Sequence, residues 1–245
     1  ECVKKIAASM GKIIISGFVH GVLNTDNFNV TGEVFDFGPW RFIQYANQNF
    51  TAAYFDYNGR YSFGKQPEAA LWALTQLGKS LNKFISEKRI VEILNEFSKN
   101  FHLSLKNHFC WRIGIQDIDS KSLNEIMNIL LNESEKHKIE YASFFYDFFG
   151  GQDSVIDCLK TQYGTKYKVQ EFSKVTNILK DTQSLKGSSE KRKILVKNRE
   201  NILIEDVEEI WKQIDQYNNW NFLYKKINKV RKLGDFLESQ KLVNF

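Results

Sequence analysis

With 245 residues, 42% apolar and 14% aromatic, the chain has material for a sizeable core. A net charge of +5 is mild at this length and calls for neither a nucleic-acid nor a membrane partner. Three scattered cysteines, Cys2, Cys110 and Cys158, do not make a disulfide framework and fit reduced thiols in a cytoplasmic protein.

Only two prolines, with abundant Leu, Ile, Lys and Glu, predict a mainly α protein with one small β-hairpin. Val3, Ile6, Ala7, Met10, Ile13 and Ile14 recur at helical spacing, which predicts a first helix over Cys2 to Ser16. The run Ile13-Ile14-Ile15 is too short to span a membrane, and it leads straight into a polar motif, as no cleavable signal would.

That motif is Gly17-Phe18-Val19-His20-Gly21-Val22-Leu23-Asn24-Thr25-Asp26-Asn27, followed by Asp36-Phe37-Gly38. Two short arms, Phe28-Asn29-Val30 and Glu33-Val34-Phe35, join the halves across Thr31-Gly32, a hairpin pattern. The arrangement resembles the catalytic loop and Asp-Phe-Gly of a kinase-like lower lobe. A hairpin of this length can bring the Asn27 amide oxygen and the Asp36 carboxylate to one Mg2+, whose preferred ligands are oxygens.

One position departs from the kinase pattern. Counting back five residues from Asn27, where a kinase has its catalytic Asp, gives Val22, whose isopropyl group cannot accept a proton. Asp26 is the carboxylate of this loop that can stand in, although an Asp beside an Asn is also a common turn former.

From Gly17 to about Leu77 the chain resembles the selenoprotein O (YdiU) family. The residues that carry the resemblance are Gly17-Phe18, His20-Gly21-Val22, Asn24-Thr25-Asp26-Asn27, Asp36-Phe37-Gly38-Pro39, Gly59-Arg60-Tyr61-Ser62-Phe63, Gln66-Pro67 and Ala70-Leu71-Trp72. The family usually has Tyr where this chain has Phe37. The resemblance implies a kinase-like fold used for protein adenylylation: AMP passes from ATP, bound in inverted orientation, to a Ser, Thr or Tyr hydroxyl of a protein substrate. It implies Asp26 as proton acceptor, Asn27 as a magnesium ligand, and Asp36 as a second ligand that also faces the ATP.

The kinase plan places a glycine-rich loop, a phosphate-binding Lys and its Glu partner roughly a hundred residues upstream of the loop. The stretch before His20 cannot hold them. The expectation is therefore a fragment, or the carboxyl half of a split or decayed protein with a separately encoded upper lobe, binding magnesium-ATP weakly by itself. A redox cysteine near the carboxyl terminus, found in some family members, is not expected in Lys241-Leu242-Val243-Asn244-Phe245. The competing readings are an ATP-dependent phosphotransferase and a non-catalytic pseudokinase remnant.

Residues 1–84 are expected to form the lower-lobe core, and 85–245 a helical extension packed on it. Aromatics from Trp40 to Tyr57 read as packing, and Arg60 as a candidate contact for phosphate or an acidic substrate group. Pro67 suits the first turn of a helix whose Leu71, Leu74, Leu77, Leu81 and Phe84 form one stripe. Further helices are expected at Lys88–Asn100, at Ser122–Ser134 behind a Ser122/Glu125 capping box, and at His137–Phe149. The last three fall at Tyr167–Lys180, Glu205–Gln216 and Asn221–Ser239, with Val207, Ile210, Trp211, Ile214, Leu223, Ile227, Val230 and Leu233 buried. The stretch Gln183 to Asn201, with Lys191-Arg192-Lys193, reads as a solvated linker more readily than as a phosphate-binding patch.

Overall fold

The computed structural model describes residues 1–238, and 64% of the chain is helical with one two-stranded antiparallel sheet. Ser239, the expected end of the last helix, and the segment Lys241–Phe245 lie outside the described residues. The chain divides into two compact units, Glu1–Phe109 with Leu130–Glu135, and Cys110–Ile129 with the residues from Lys136 onward.

The first unit is built on α1 (Cys2–Ser16), α2 (Gln66–Ser80) and the first part of α3 (Glu87–Ile113). The apolar face of α1 buries Val3, Ile6, Ala7 and Met10 against Leu23, Ala70, Leu74 and Phe97. Small residues set the spacing. A Cβ on Gly11 would stand 2.6 Å from Ser104 Oγ, whose hydroxyl donates to Ala8 O at 2.7 Å, so α1 and α3 touch backbone to side chain. Gly78 on α2 plays the same part against Ile90. Gly17 ends α1 in the left-handed region, φ 75°, with its N–H on Ile14 O at 3.0 Å.

The expected leucine stripe of α2 is only partly right. Its buried face is Ala70, Ala73, Leu74 and Gly78, while Leu77 is exposed. Leu81 and Phe84 fall past the helix end and face solvent. Ala70, Ala73 and Gly78 share that inner face with Leu74, and a Cβ at Gly78 would stand 2.6 Å from Ile90 Cγ2, so the closest approach leaves no room for a side chain.

The paired strands are β1 (Phe18–Val19) and β2 (Arg41–Phe42), in antiparallel register Phe18↔Phe42 and Val19↔Arg41. The expected 28–35 hairpin is present as a single bridge, Phe28↔Val34, with Asn29 N–H on Glu33 O at 2.9 Å. It stays that short because Asn27 closes a 3-10 turn (Thr25–Asn27) before it and Asp36 turns left-handed, φ 60°, after it. Phe18 gathers Phe37, Trp40 and Phe42 around its ring, so these aromatics do pack. Tyr54 and Tyr57 do not; both are almost fully exposed.

The second unit holds α4 (Ser120–Glu133) in its first ten residues, then α5 (Tyr141–Asp147), α6 (Gln152–Lys160), α7 (Gln170–Lys180) and α8 (Ser188–Lys197). Helices α9 (Ile204–Tyr217) and α10 (Asn221–Glu238) follow. Asp119, not Ser122, caps α4: its Oδ1 accepts the N–H groups of Lys121 and Ser122 at 2.9 and 3.0 Å. The centre is aromatic, with Tyr141, Phe144, Phe145, Phe148, Tyr167 and Phe172 all buried.

The expected linker at 183–201 is largely helix α8. Its Leu195 is buried, and Arg192 reaches Asp157 at 3.6 Å and Asp147 O at 3.4 Å, so the basic run is not simply solvated. Helices α9 and α10 depart from expectation in the opposite sense. No residue of α9 is buried, Trp211 is 62% exposed, and α10 is held by Lys226 and Lys229 on Glu200 at 3.0 and 2.6 Å.

Candidate functional site

The loop between β1 and the Asp-Phe-Gly turn is tied down by backbone groups. His20 is fully buried. Its Nε2 lies 2.8 Å from Phe35 O, which can only accept, so Nε2 carries the proton. Val22 N–H points at Nδ1 from 3.3 Å, which leaves that nitrogen as the acceptor. The imidazole is therefore neutral. Burial pushes its pKa below the ordinary value of 6.5, opposed by the Phe35 carbonyl and by the charge of Asp36.

Gln66, the first residue of α2, fixes the other side of the same histidine. Its Oε1 accepts His20 N–H at 2.9 Å, and its Nε2 donates to Phe18 O at 2.9 Å and Phe63 O at 3.3 Å. Gln66 is fully buried and every polar atom of its amide is engaged. Within the motif Gln66-Pro67 the residue carried no assigned role in the sequence. The sequence offered only a glutamine directly ahead of a helix-opening proline; its burial is what gives it the role.

Asn27 is buried, and its Nδ2 donates to Val22 O at 2.7 Å. The carbonyl can only accept, so the amide orientation is fixed and Oδ1 turns away from Val22. Phe35 N–H donates to Asn27 O at 3.2 Å, which sets the backbone of Asn27 beside the residue preceding Asp36. Asp36 is exposed at φ 60°, and its carbonyl accepts Gly38 N–H at 2.9 Å in a three-residue turn. Asp26 sits in the 3-10 turn with its side chain in solvent. Neither carboxylate accepts a hydrogen bond among the described residues.

This donor set fits a hard cation. It offers an orientated amide oxygen and a carboxylate that has no protein partner among the described residues, and the nearby imidazole of His20 is engaged at both ring nitrogens. Val22 contributes its carbonyl and N–H, not its side chain. A segment from 56 to 61 closes against the loop. Asp56 accepts the N–H groups of Arg60 and Tyr61 at 2.8 Å each, and the Tyr61 hydroxyl donates to Asn24 Oδ1. Arg60 itself lies with its guanidinium 4.9 Å above the Trp72 ring.

Fold and site together define a mostly helical protein in which an Asn-bearing loop and an Asp-Phe-Gly turn are joined through the Phe35 backbone. A family model described as protein adenylyltransferase SelO matches residues 1–231, and the chain belongs to that family. A protein nucleotidyltransferase YdiU of Trichormus variabilis is 28% identical over 96% of this chain and 51% of its own length. The corresponding protein of Brevibacillus brevis is 27% identical over 87% of this chain and 44% of its own. One from Synechocystis is 46% identical over 97 residues, 40% of this chain and 20% of its own. The chain spans about half the length of the first two of these relatives.

Proposed function

We propose that this protein transfers AMP from ATP to Ser, Thr or Tyr hydroxyls of a protein substrate, with Mg2+ as cofactor. Membership of a family described as protein adenylyltransferases supports the reaction class. The observation that carries the site is the Asn27 O to Phe35 N–H bond, with His20 locked on Phe35 O, because it ties the loop of Asp26 and Asn27 to the turn of Asp36. We read the first unit as a kinase-like lower lobe on the same grounds.

Asn27 Oδ1 and Asp36 would hold the ion, which supplies charge neutralisation on the phosphates. Asp36 also faces the ATP. The substrate hydroxyl oxygen attacks the α-phosphorus and a new P–O bond forms. The bond from that phosphorus to the bridging oxygen breaks, pyrophosphate leaves, and the hydroxyl proton passes to Asp26. Its exposed carboxylate, without a protein partner among the described residues, is accessible to an incoming hydroxyl. Positioning supplies much of the rate in such a transfer, and the buried His20–Gln66 pair keeps the loop from shifting.

Incubation of the natural full-length protein with α-labelled or γ-labelled ATP separates the readings. Label retained on protein from the α-phosphate alone supports AMP transfer. Label from the γ-phosphate would instead establish the phosphotransferase, and no label from either would favour a non-catalytic remnant.

A further inference from the structure

Beside the loop lies a groove of about 390 Å3 between the start of α1, the loop from Thr25 to Val30, and α2. Its walls include Ile6, Thr25, Phe28, Val30, Trp72 and Leu77, and no charged side chain lines it. Val30, Trp72 and Leu77 are 63%, 46% and 38% exposed, so the apolar wall opens to solvent and is not a closed cavity. Thr25 places one end of the groove a single residue from Asp26, a Cα separation of about 3.8 Å. At its rim, Arg60 stacks on Trp72, and it has no carboxylate partner among the described residues. Both oxygens of the nearby Asp56 carboxylate already take backbone N–H groups.

We propose that this groove holds an apolar side chain of the protein substrate, while Arg60 pairs with an acidic residue close to it in the substrate chain. The inference rests on the transfer reading for the identity of the occupant, and it names the substrate class: a segment with a large apolar residue flanked by Asp or Glu. Continuity with the turn that carries Asp26 argues for substrate, because a segment seated here is delivered next to the proton acceptor. Charge argues for acidity, because the cation at the rim is exposed and has no carboxylate partner among the described residues, while the apolar wall offers nothing to a basic segment. A guanidinium held over an aromatic ring keeps its edge free for a bidentate carboxylate.

The test uses two fluorescein-labelled heptapeptides, Gly-Ser-Asp-Glu-Leu-Phe-Gly and the same peptide with Lys-Lys for Asp-Glu, titrated against the 245-residue chain without nucleotide. The acidic peptide is expected to bind about tenfold more tightly, a difference of about 1.4 kcal/mol. Arg60→Glu should erase or reverse that preference, and Leu77→Ser should weaken both peptides. Both positions are exposed, so the variants should melt like the parent. Equal binding of the two peptides, or binding unaffected by either substitution, would overturn the proposal. So would a dimer in sedimentation that Leu77→Ser returns to monomer, since the groove would then belong to a second copy. Because nucleotide is absent, a negative result leaves AMP transfer standing. Peptide binding without any α-label transfer in the full-length protein would refute the transfer reading instead.

Discussion

Replacing Gln66 by Ala removes three hydrogen bonds at once. His20 N–H, Phe18 O and Phe63 O lose partners at 2.9, 2.9 and 3.3 Å, and the first lies in a fully buried residue. An orphaned buried backbone group costs about 1–3 kcal/mol. Counting the two shorter bonds at the middle of that range and the longer one at little gives roughly 4 kcal/mol, before any cavity term. Thermal melting should fall by about 8–16 °C, taking about 2–4 °C per kcal/mol at this chain length. Hydrogen exchange adds a local readout, since the His20 amide should lose protection ahead of the α1 amides. Gln66→Glu is the control: its carboxylate can still accept from His20 N–H but cannot donate to the two carbonyls. It should be nearly as damaging at neutral pH and milder in acid, where the protonated carboxyl regains a donor. A loss under about 1 kcal/mol in Gln66→Ala, with His20 still protected, would refute the claim that this glutamine holds the loop.

His20 is kept neutral by burial, with a folded-state pKa below 6.5, so the unfolded chain binds the proton more readily. Its contribution to stability should be complete above that value and fall as pH drops from there through the folded-state pKa; a melting profile of His20→Gln that is as steep as the parent's in this window would contradict it. In the second unit, buried Asp147 faces Lys166 at 3.1 Å, Arg199, and the Tyr167 hydroxyl at 2.7 Å. Asp147→Asn should cost roughly 3 kcal/mol in urea unfolding, the low end for a broken buried pair because both cations keep some water contact. Cys158 is buried and its thiol is pushed up to about 12, mainly by desolvation; iodoacetamide near neutral pH should modify half-buried Cys2 first and reach Cys158 only on unfolding, which peptide mapping can check.

The sequence was most legible where local pattern and spacing decide the outcome. Helix α1 lies where its apolar period put it, because one face packs against the core along its whole length. The motif halves around Asn27 and Asp36 were visible as residues, but the bonds that join them were not. They run through the His20 ring and the carbonyls of Val22 and Phe35, which any residue in the right conformation can offer. Leu77, Leu81 and Phe84 misled because a helical period shows which residues share a face, not how near the next helix lies or where the helix stops. Helix α8 was missed because its run Ser188 to Lys193 is polar apart from the main chain, while its anchors, Leu195 and the Arg192–Asp157 pair, come from distant packing. The faces of α9 and α10, only half-buried, could not be read from amphipathicity, which marks a surface that can be covered and does not say how far it is.

The central claim is that Asn27 and Asp36 share one divalent ion at the edge of the tied loop. A crystal of the full-length protein grown with Mn2+ and a non-hydrolysable ATP analogue, with the ion located by its anomalous signal, tests it most directly. One peak is expected, with Asn27 Oδ1 and an Asp36 carboxylate oxygen both at about 2.0–2.3 Å, and its loss in Asp36→Asn, a change the left-handed backbone tolerates. A peak coordinated by neither residue, or the two oxygens more than about 8 Å apart, too far for ligands of one ion, would contradict it.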